Sequence, residues 1–426
     1  MRAHQSRRTH PLALLGAAKR SARGPTTLGA GRGTRLPLLL LAAALLATPW
    51  ALAQPPKAET CTRASLSSPL AWATSGIWVG GHQAAAEILV ADPLKEQVRG
   101  ISRDGEVSSR LAGQVPTVEG ESLPIGRIFQ VRAAGDRYFF EDHRNKLILE
   151  LNSDLEQVAQ VEVSTRDASG RHRLDTIWDW SPLGSGFLAF GDIVEEKTNR
   201  WFSAFLYFDR EGLKRIFHTV PLDSDAREFY VNNRFTASLG DTGYFLTLEG
   251  QPRLHAVDAS SEKVADLALV PAEFSRWPQL GLEPEWLKVK EDGPRRNTAF
   301  YRVLERSSMP VALHAQGGLY LLARERPAGQ GSTAWWLLQL DAASGRELGR
   351  VRLPTEAAHL TVVPGASWAF IEKGPVEGIG PRYAPYMKTD SMLLVPGGWM
   401  AELRGSPLGT PAVSCAEPQL RARLGG

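Results

Sequence analysis

Six acidic residues close six apolar runs along this chain: ILVAD at Ile88–Asp92, YFFED at Tyr138–Asp142, FLAFGD at Phe187–Asp192, YFLTLE at Tyr244–Glu249, YLLARE at Tyr320–Glu325 and WAFIE at Trp368–Glu372. Carboxylates at matching positions have two chemical uses. Two or three of them gathered at a pore mouth, with a loop carbonyl, can hold a hard cation such as calcium through oxygen ligands. Taken singly, each accepts hydrogen bonds from loop amides and forms a turn. Recurrence in every unit favours the second use. For the first, the candidate ligands are Asp142, His143, Asp192, Glu249 and Glu372, and His143 beside Glu141 and Asp142 is the nearest thing to an acid–base cluster, although a solvated turn is the preferred explanation of it. No cofactor is predicted; a divalent ion such as calcium is the one these residues allow. The zinc-protease, nucleophile-elbow and phosphate-loop patterns are absent from the sequence.

The elements that position these acids follow from the turns between the apolar runs. Ser102–Gly105, Asn152–Asp154, Asp209–Gly212, Asp258–Ser261 and Asp341–Gly345 each separate an apolar run from an alternating one, with Gly, Asp and Asn supplying hairpin geometry. A second set of short turns precedes each acid-ended run. The unit is therefore a meander of four short strands, and its period suits a propeller blade. Six blades are expected, at about 71–112, 127–163, 176–220, 230–270, 310–353 and 359–403, with a loop or short-helix insertion before the fifth. A seventh, degenerate blade within Pro271–Met309 is the rival count.

The strand Ile88-Leu89-Val90-Ala91-Asp92 and the turn Leu340-Asp341-Ala342-Ala343-Ser344-Gly345 resemble the recurrent strand and turn of the six-bladed NHL-repeat and TolB-like propellers. The resemblance covers nearly all of the chain after its first segment. It implies an all-β, six-bladed propeller of four-stranded antiparallel blades and leaves activity open, because propellers host enzymes, binders and structural parts alike.

The ends have their own logic. Arg32 and Arg35 precede an apolar run of about a dozen residues, Leu36–Ala47, then Pro49 and the small-residue stretch Ala51–Ala53, which is the layout of a secretory signal and too short to span a membrane. Residues 1–53 are thus expected to be a signal peptide with a long basic n-region, 54–70 an N-terminal segment, 71–404 the propeller and 405–426 a C-terminal tail. Export, to the periplasm or outside the cell, makes the two cysteines, Cys61 and Cys415, a natural disulfide that ties the tail back. The formal net charge of +3 includes the basic leader, so the mature chain offers no electrostatic case for nucleic acid.

In such a meander the A–B and C–D turns share one face and the B–C and D–A connections share the other. The long excursions, Ile193–Arg200, Pro271–Met309, Arg326–Thr333 and Lys373–Asp390, all fall on the second face, where function on a rigid scaffold is expected. Candidate partner-binding residues there are Arg382, Tyr383, Tyr386, Trp277, Trp286, Arg295 and Arg302, since Arg and aromatic side chains dominate binding hot spots; packing of the loops onto the propeller is the equal alternative. The inner strands are expected to bring Arg127, Asp179, Asn232, Asn233, Arg234, His314 and His359 to the central channel, with Trp178 and Trp180 packed between blades. The expected function is an exported binding module for a protein, glycan or small molecule. The alternatives are a metal-dependent lactonase or hydrolase, in which Asn232 or Asn233 helps hold the ion, and a quinone-dependent dehydrogenase.

Overall fold

The computed structural model describes residues 61–80, 86–260, 263–289, 299–300, 302–326, 333–365, 367–373 and 389–396. They form six four-stranded antiparallel sheets, one per blade. From the inner strand outward, blade 1 is Gly76–Val79, Glu87–Asp92, Gln97–Ser102 and Val107–Ala112, and blade 2 is Ile128–Ala134, Arg137–Asp142, Leu147–Leu151 and Gln157–Glu162. Blade 3 is His172–Leu183, Gly186–Glu195, Arg200–Asp209 and Gly212–Val220; blade 4 is Thr236–Leu239, Thr242–Thr247, Arg253–Asp258 and Val264–Leu269. Blade 5 is Met309–Ala315, Leu319–Glu325, Ala334–Leu340 and Glu347–Leu353. The six-bladed expectation holds, and the described part of Pro271–Met309 carries two 3-10 turns, a helix, Pro284–Val289, and further helical residues at 299–300 and 302–305 in place of a seventh blade.

Blade 6 shows how the ring closes. Its inner three strands are His359–Val363, Ser367–Lys373 and Thr389–Pro396, and its outermost strand is Thr62–Leu70, which pairs antiparallel with Thr389–Pro396. The stretch that precedes blade 1 in sequence thus completes blade 6 in space. A pattern read along the chain cannot reveal this, because the two partners lie at opposite ends of it. Leu70 is 1% exposed, and Leu66 and Ala73 join it against Val363, Ile371 and Met392.

The core lies between blades. Separate apolar clusters join blades 1 and 2, 2 and 3, and 5 and 6, a larger one spans blades 3 to 5, and the last joins blade 6 to blade 1. Second strands face such clusters on both sides, so Ile88–Asp92 and Leu319–Arg324 are buried at every position, which is why they read as unbroken apolar runs. The inner hairpins turn within a few residues at Gly135 (φ 63°) and Gly240 (φ 60°), a left-handed conformation that glycine adopts without a Cβ clash.

The connections differ in one respect from the expected insertions. Blade 3 has strands of ten to twelve residues, so Ile193–Glu195 and Arg200 belong to its sheet and the loop shrinks to residues 196–199. A two-stranded hairpin, Gln114–Pro116 with Ser122–Pro124, links blades 1 and 2. Helix α1 (Asp225–Asn232) links blades 3 and 4, capped by Ser224 accepting from the Ala226 amide. Asn232 and Asn233, expected on an inner strand, instead end this helix and donate to the carbonyls of Glu228 and Phe229, each at 2.8 Å.

Candidate functional site

Each recurrent carboxylate is held by donors of its own neighbourhood. Asp92 accepts from the Ala71 and Trp72 amides, both at 3.0 Å. Asp142 accepts from the Gly126 amide at 2.7 Å and from Asn145. Asp192 accepts from Trp178 Nε1 at 2.9 Å, from Arg227 Nη2 at 2.8 Å and from the Ser203 hydroxyl. Glu249 takes the Tyr230 hydroxyl at 2.7 Å, Glu325 the Trp336 indole at 2.8 Å, and Glu372 pairs with Arg63 at 2.9 Å and Ser391 at 2.8 Å. Among the described residues no group of three or more His, Cys, Asp or Glu side chains is placed to hold a metal ion. The calcium arrangement expected of Asp142, His143, Asp192, Glu249 and Glu372 therefore does not assemble there. The reason is position: each acid lies in or just beyond a second strand, one strand out from the channel, and is taken up by donors of its own neighbourhood.

Three of these carboxylates, counting Glu141, converge on a different object. Trp72, Phe129, His143 and Trp178 form a continuous strip of part-exposed rings, with successive centroids 5.2, 5.2 and 5.8 Å apart. The guanidinium of Arg227 stands 5.9 Å from the Trp178 ring and that of Arg234 5.8 Å from Phe129, within cation–π range. Asp92 pins the backbone of Trp72, Asp192 orients both Trp178 and Arg227, and Glu141, 1% exposed, accepts from His143 Nδ1 at 2.9 Å and from Trp180 Nε1 at 3.1 Å. His143 opens the turn at 143–146 with its side chain 29% exposed, and its ring lies between Phe129 and Trp178. The strip lies at the end of the inner strands from which the B–C and D–A connections leave. Trp180 is fully buried against Phe187, packed between blades as expected.

A buried ionic network backs the strip. Asp179, 1% exposed, accepts from the Phe235 and Thr236 amides at 2.7 Å, from the Thr236 hydroxyl at 2.9 Å and from Arg132 Nη2 at 2.9 Å. It thereby joins the inner strands of blades 2, 3 and 4. Arg234 lies 3.9 Å from Asp179 and exchanges backbone hydrogen bonds with Val311 and Leu313 of blade 5. Burial, and then Arg132 and Arg234, lower His314 to about 3. Burial lowers His359 to about 4 against the opposing pull of Glu305, 3.6 Å away. Lys373, at the end of the second strand of blade 6, is lowered to about 7 by desolvation and by Arg234. The channel neighbourhood is therefore cationic yet carries two neutral imidazoles. Arg127 enters through its carbonyl, which accepts the His143 amide at 2.9 Å.

The loop residues divide. Trp286 is 6% exposed and stacks edge-on with Phe300, and Trp277 packs on the same cluster, so these rings fasten the insertion down. Burial leaves Trp286 nothing to offer a partner. Arg302 is exposed. Arg295, Arg382, Tyr383 and Tyr386 lie outside the described residues, as does Cys415. Cys61 is fully buried and is not a free thiol. Sequence reasoning missed Trp72, Phe129 and Arg227 altogether. The only available signal was that each sits in or beside a connection on the face already chosen.

No protein family is matched by the sequence, and no curated protein resembles it. Solved structures similar to this chain include a member of the DUF4221 family from Bacteroides vulgatus (10% identity, 79% of this chain and 96% of that one, TM-score 0.40). They also include a gluconolactonase from Xanthomonas campestris (13%, 80% and 97%, 0.40) and the calcium-binding protein regucalcin from Agrobacterium tumefaciens (7%, 79% and 93%, 0.40).

Proposed function

We propose that this chain is exported and works as a binding module, docking a protein, glycan or small molecule at the channel mouth through Trp72, Phe129, His143, Trp178, Arg227 and Arg234. The observation that carries this reading is the set of buried carboxylates, Asp92, Glu141 and Asp192, that fix the strip from behind. Ring faces and guanidinium groups pre-oriented in this way lose little conformational entropy on docking, and Trp and Arg are the side chains that carry most interface energy. The leader at residues 1–53 and a Cys61–Cys415 disulfide belong to the same reading: export supplies the oxidising compartment. No helix among the described residues is long and apolar enough to cross a membrane.

The test is substitution at the strip. Phe129→Ala with Trp178→Leu should cost at least about tenfold in affinity for a ligand found by screening glycans, peptides and small molecules. A partner that binds this variant unchanged removes the strip from the account.

A further inference from the structure

The other end of the channel holds a cavity of about 510 Å³, within the range that takes a small organic ligand. It lies among the C-terminal ends of the inner strands, on the face of the short A–B turns, and so is separate from the aromatic strip. Its polar wall is built from Trp78, Arg103, Arg132 and His314, with Ser181 and Ser238, while Ile77, Tyr138 and Leu313 supply apolar surface.

Several of these groups are unspent. Trp78 Nε1 and His314 Nε2 are both buried without a hydrogen-bond partner, and His314 as a whole is 6% exposed. Leaving such an atom unsatisfied is costly, so each is a place where a ligand atom or water is favoured. Arg132 uses Nε on the Trp180 carbonyl at 3.0 Å and Nη2 on Asp179 and Gln130, which leaves Nη1. Arg103, exposed at the rim, makes no hydrogen bond or ion pair among the described residues and stands 5.6 Å from the Trp78 ring. Trp78 is itself held in place, because a Cβ on Gly365 would overlap its indole.

The charge is one-sided. Among the described lining residues there is no Asp or Glu, and Asp179, next to Arg132, is already saturated by Arg132, Phe235 and Thr236. Two guanidinium groups with spare N–H donors therefore face a cavity whose wall offers no counter-charge.

We propose that this cavity is a binding site for a small organic carboxylate: its carboxylate accepts from Arg132 Nη1 and the Trp78 indole N–H, its apolar body lies along Ile77, Tyr138 and Leu313, and Arg103 covers it at the rim. Arg132 Nη1 and the Trp78 indole N–H are the two inner donors, matching the two oxygens of a carboxylate, and the apolar wall suits a hydrocarbon body behind it.

The experiment uses full-length mature protein labelled with 5-fluorotryptophan, with the Trp78 resonance assigned through Trp78→Phe. It is titrated with benzoate, benzamide, benzylamine and phenyl phosphate, which share a ring and differ in head group. The proposal expects benzoate to shift Trp78 and to bind at least tenfold more tightly than benzamide or benzylamine, with Arg103→Gln weakening it severalfold and raised salt weakening it further. Arg132→Gln should abolish the shift; because Arg132 also serves Asp179, the exposed Arg103→Gln is the variant whose reading does not depend on that network. Equal binding of benzamide overturns the anion claim and keeps a cavity site. Preference for phenyl phosphate overturns the carboxylate claim. No shift of Trp78 with any of the four overturns the site, and none of these results bears on the strip at the opposite mouth.

Discussion

Asp192 and Trp178 are joined by a 2.9 Å hydrogen bond from indole Nε1 to carboxylate, and the same carboxylate holds Arg227 at 2.8 Å. One side chain therefore sets the position of both an aromatic ring and the cation beside it. Asp192→Ala should loosen both and leave the Arg227 guanidinium, only 17% exposed, with Ser203 and the more distant Glu228 but without its close carboxylate. The expected cost is on the order of 2 kcal/mol, read from denaturant melts, together with a changed Trp178 signal. Asp192→Asn should retain the indole bond and recover most of it. An Ala variant as stable as the parent, with Trp178 unmoved, would show that the carboxylate does not position the strip.

A second prediction concerns the network at the channel. Asp179→Ala withdraws the acceptor used by two backbone amides, a hydroxyl and Arg132, and leaves them buried. A loss of about 3–5 kcal/mol is expected, enough to unfold a marginal propeller. Native-like melting of this variant would mean that the inner strands of blades 2 to 4 are locked by packing alone.

His314 gives the pH dependence a sign. Its folded-state value of about 3 lies below the ordinary 6.5 because of burial and of Arg132 and Arg234. Between those values the unfolded chain binds a proton that the folded chain refuses, so stability rises with pH across that window and is lost as pH falls from 6.5 toward 3. Melting temperature should drop between pH 7 and pH 4, and His314→Gln should flatten the curve while leaving it similar at pH 7.5. An unchanged slope would assign acid lability elsewhere, His359 at about 4 being the next group.

Much of the fold was legible in sequence because burial on both faces of the second strands leaves unbroken apolar runs, and acids and turn residues mark where those runs stop. Ring closure by Thr62–Leu70 was not legible, since it rests on pairing between distant ends. At the site, the sequence located Asp179, His143 and the acids but not their use: the same Asp192 reads as a metal ligand or as an orienting acceptor, and only the nearness of Trp178 and Arg227 decides. Asn232 and Asn233 failed as channel residues because a helix, Asp225–Asn232, forms where strand was expected; Ser224 caps it, and its apolar face, Ala226, Phe229 and Tyr230, fills the core between blades 3 and 4.

The closure makes a further prediction. Leu70→Ala should cost about 2–4 kcal/mol, and reduction of a Cys61–Cys415 bond should cost about 2–4 kcal/mol more, since both act on the same outer strand. The measurement is melting with and without reductant, in the parent and in Cys415→Ser. Insensitivity of the parent to reductant would remove the disulfide from the account.

Docking on the strip is tested most directly by fluorine NMR of the 5-fluorotryptophan-labelled protein, whose resonances are assigned by single Trp→Phe changes. Added ligands from glycan, peptide and small-molecule sets are then screened against those resonances. The expected result is a ligand that shifts Trp72 and Trp178 together and loses that effect in Asp192→Ala. Ligands that bind while moving only other tryptophans, with Trp72 and Trp178 unchanged, would contradict it.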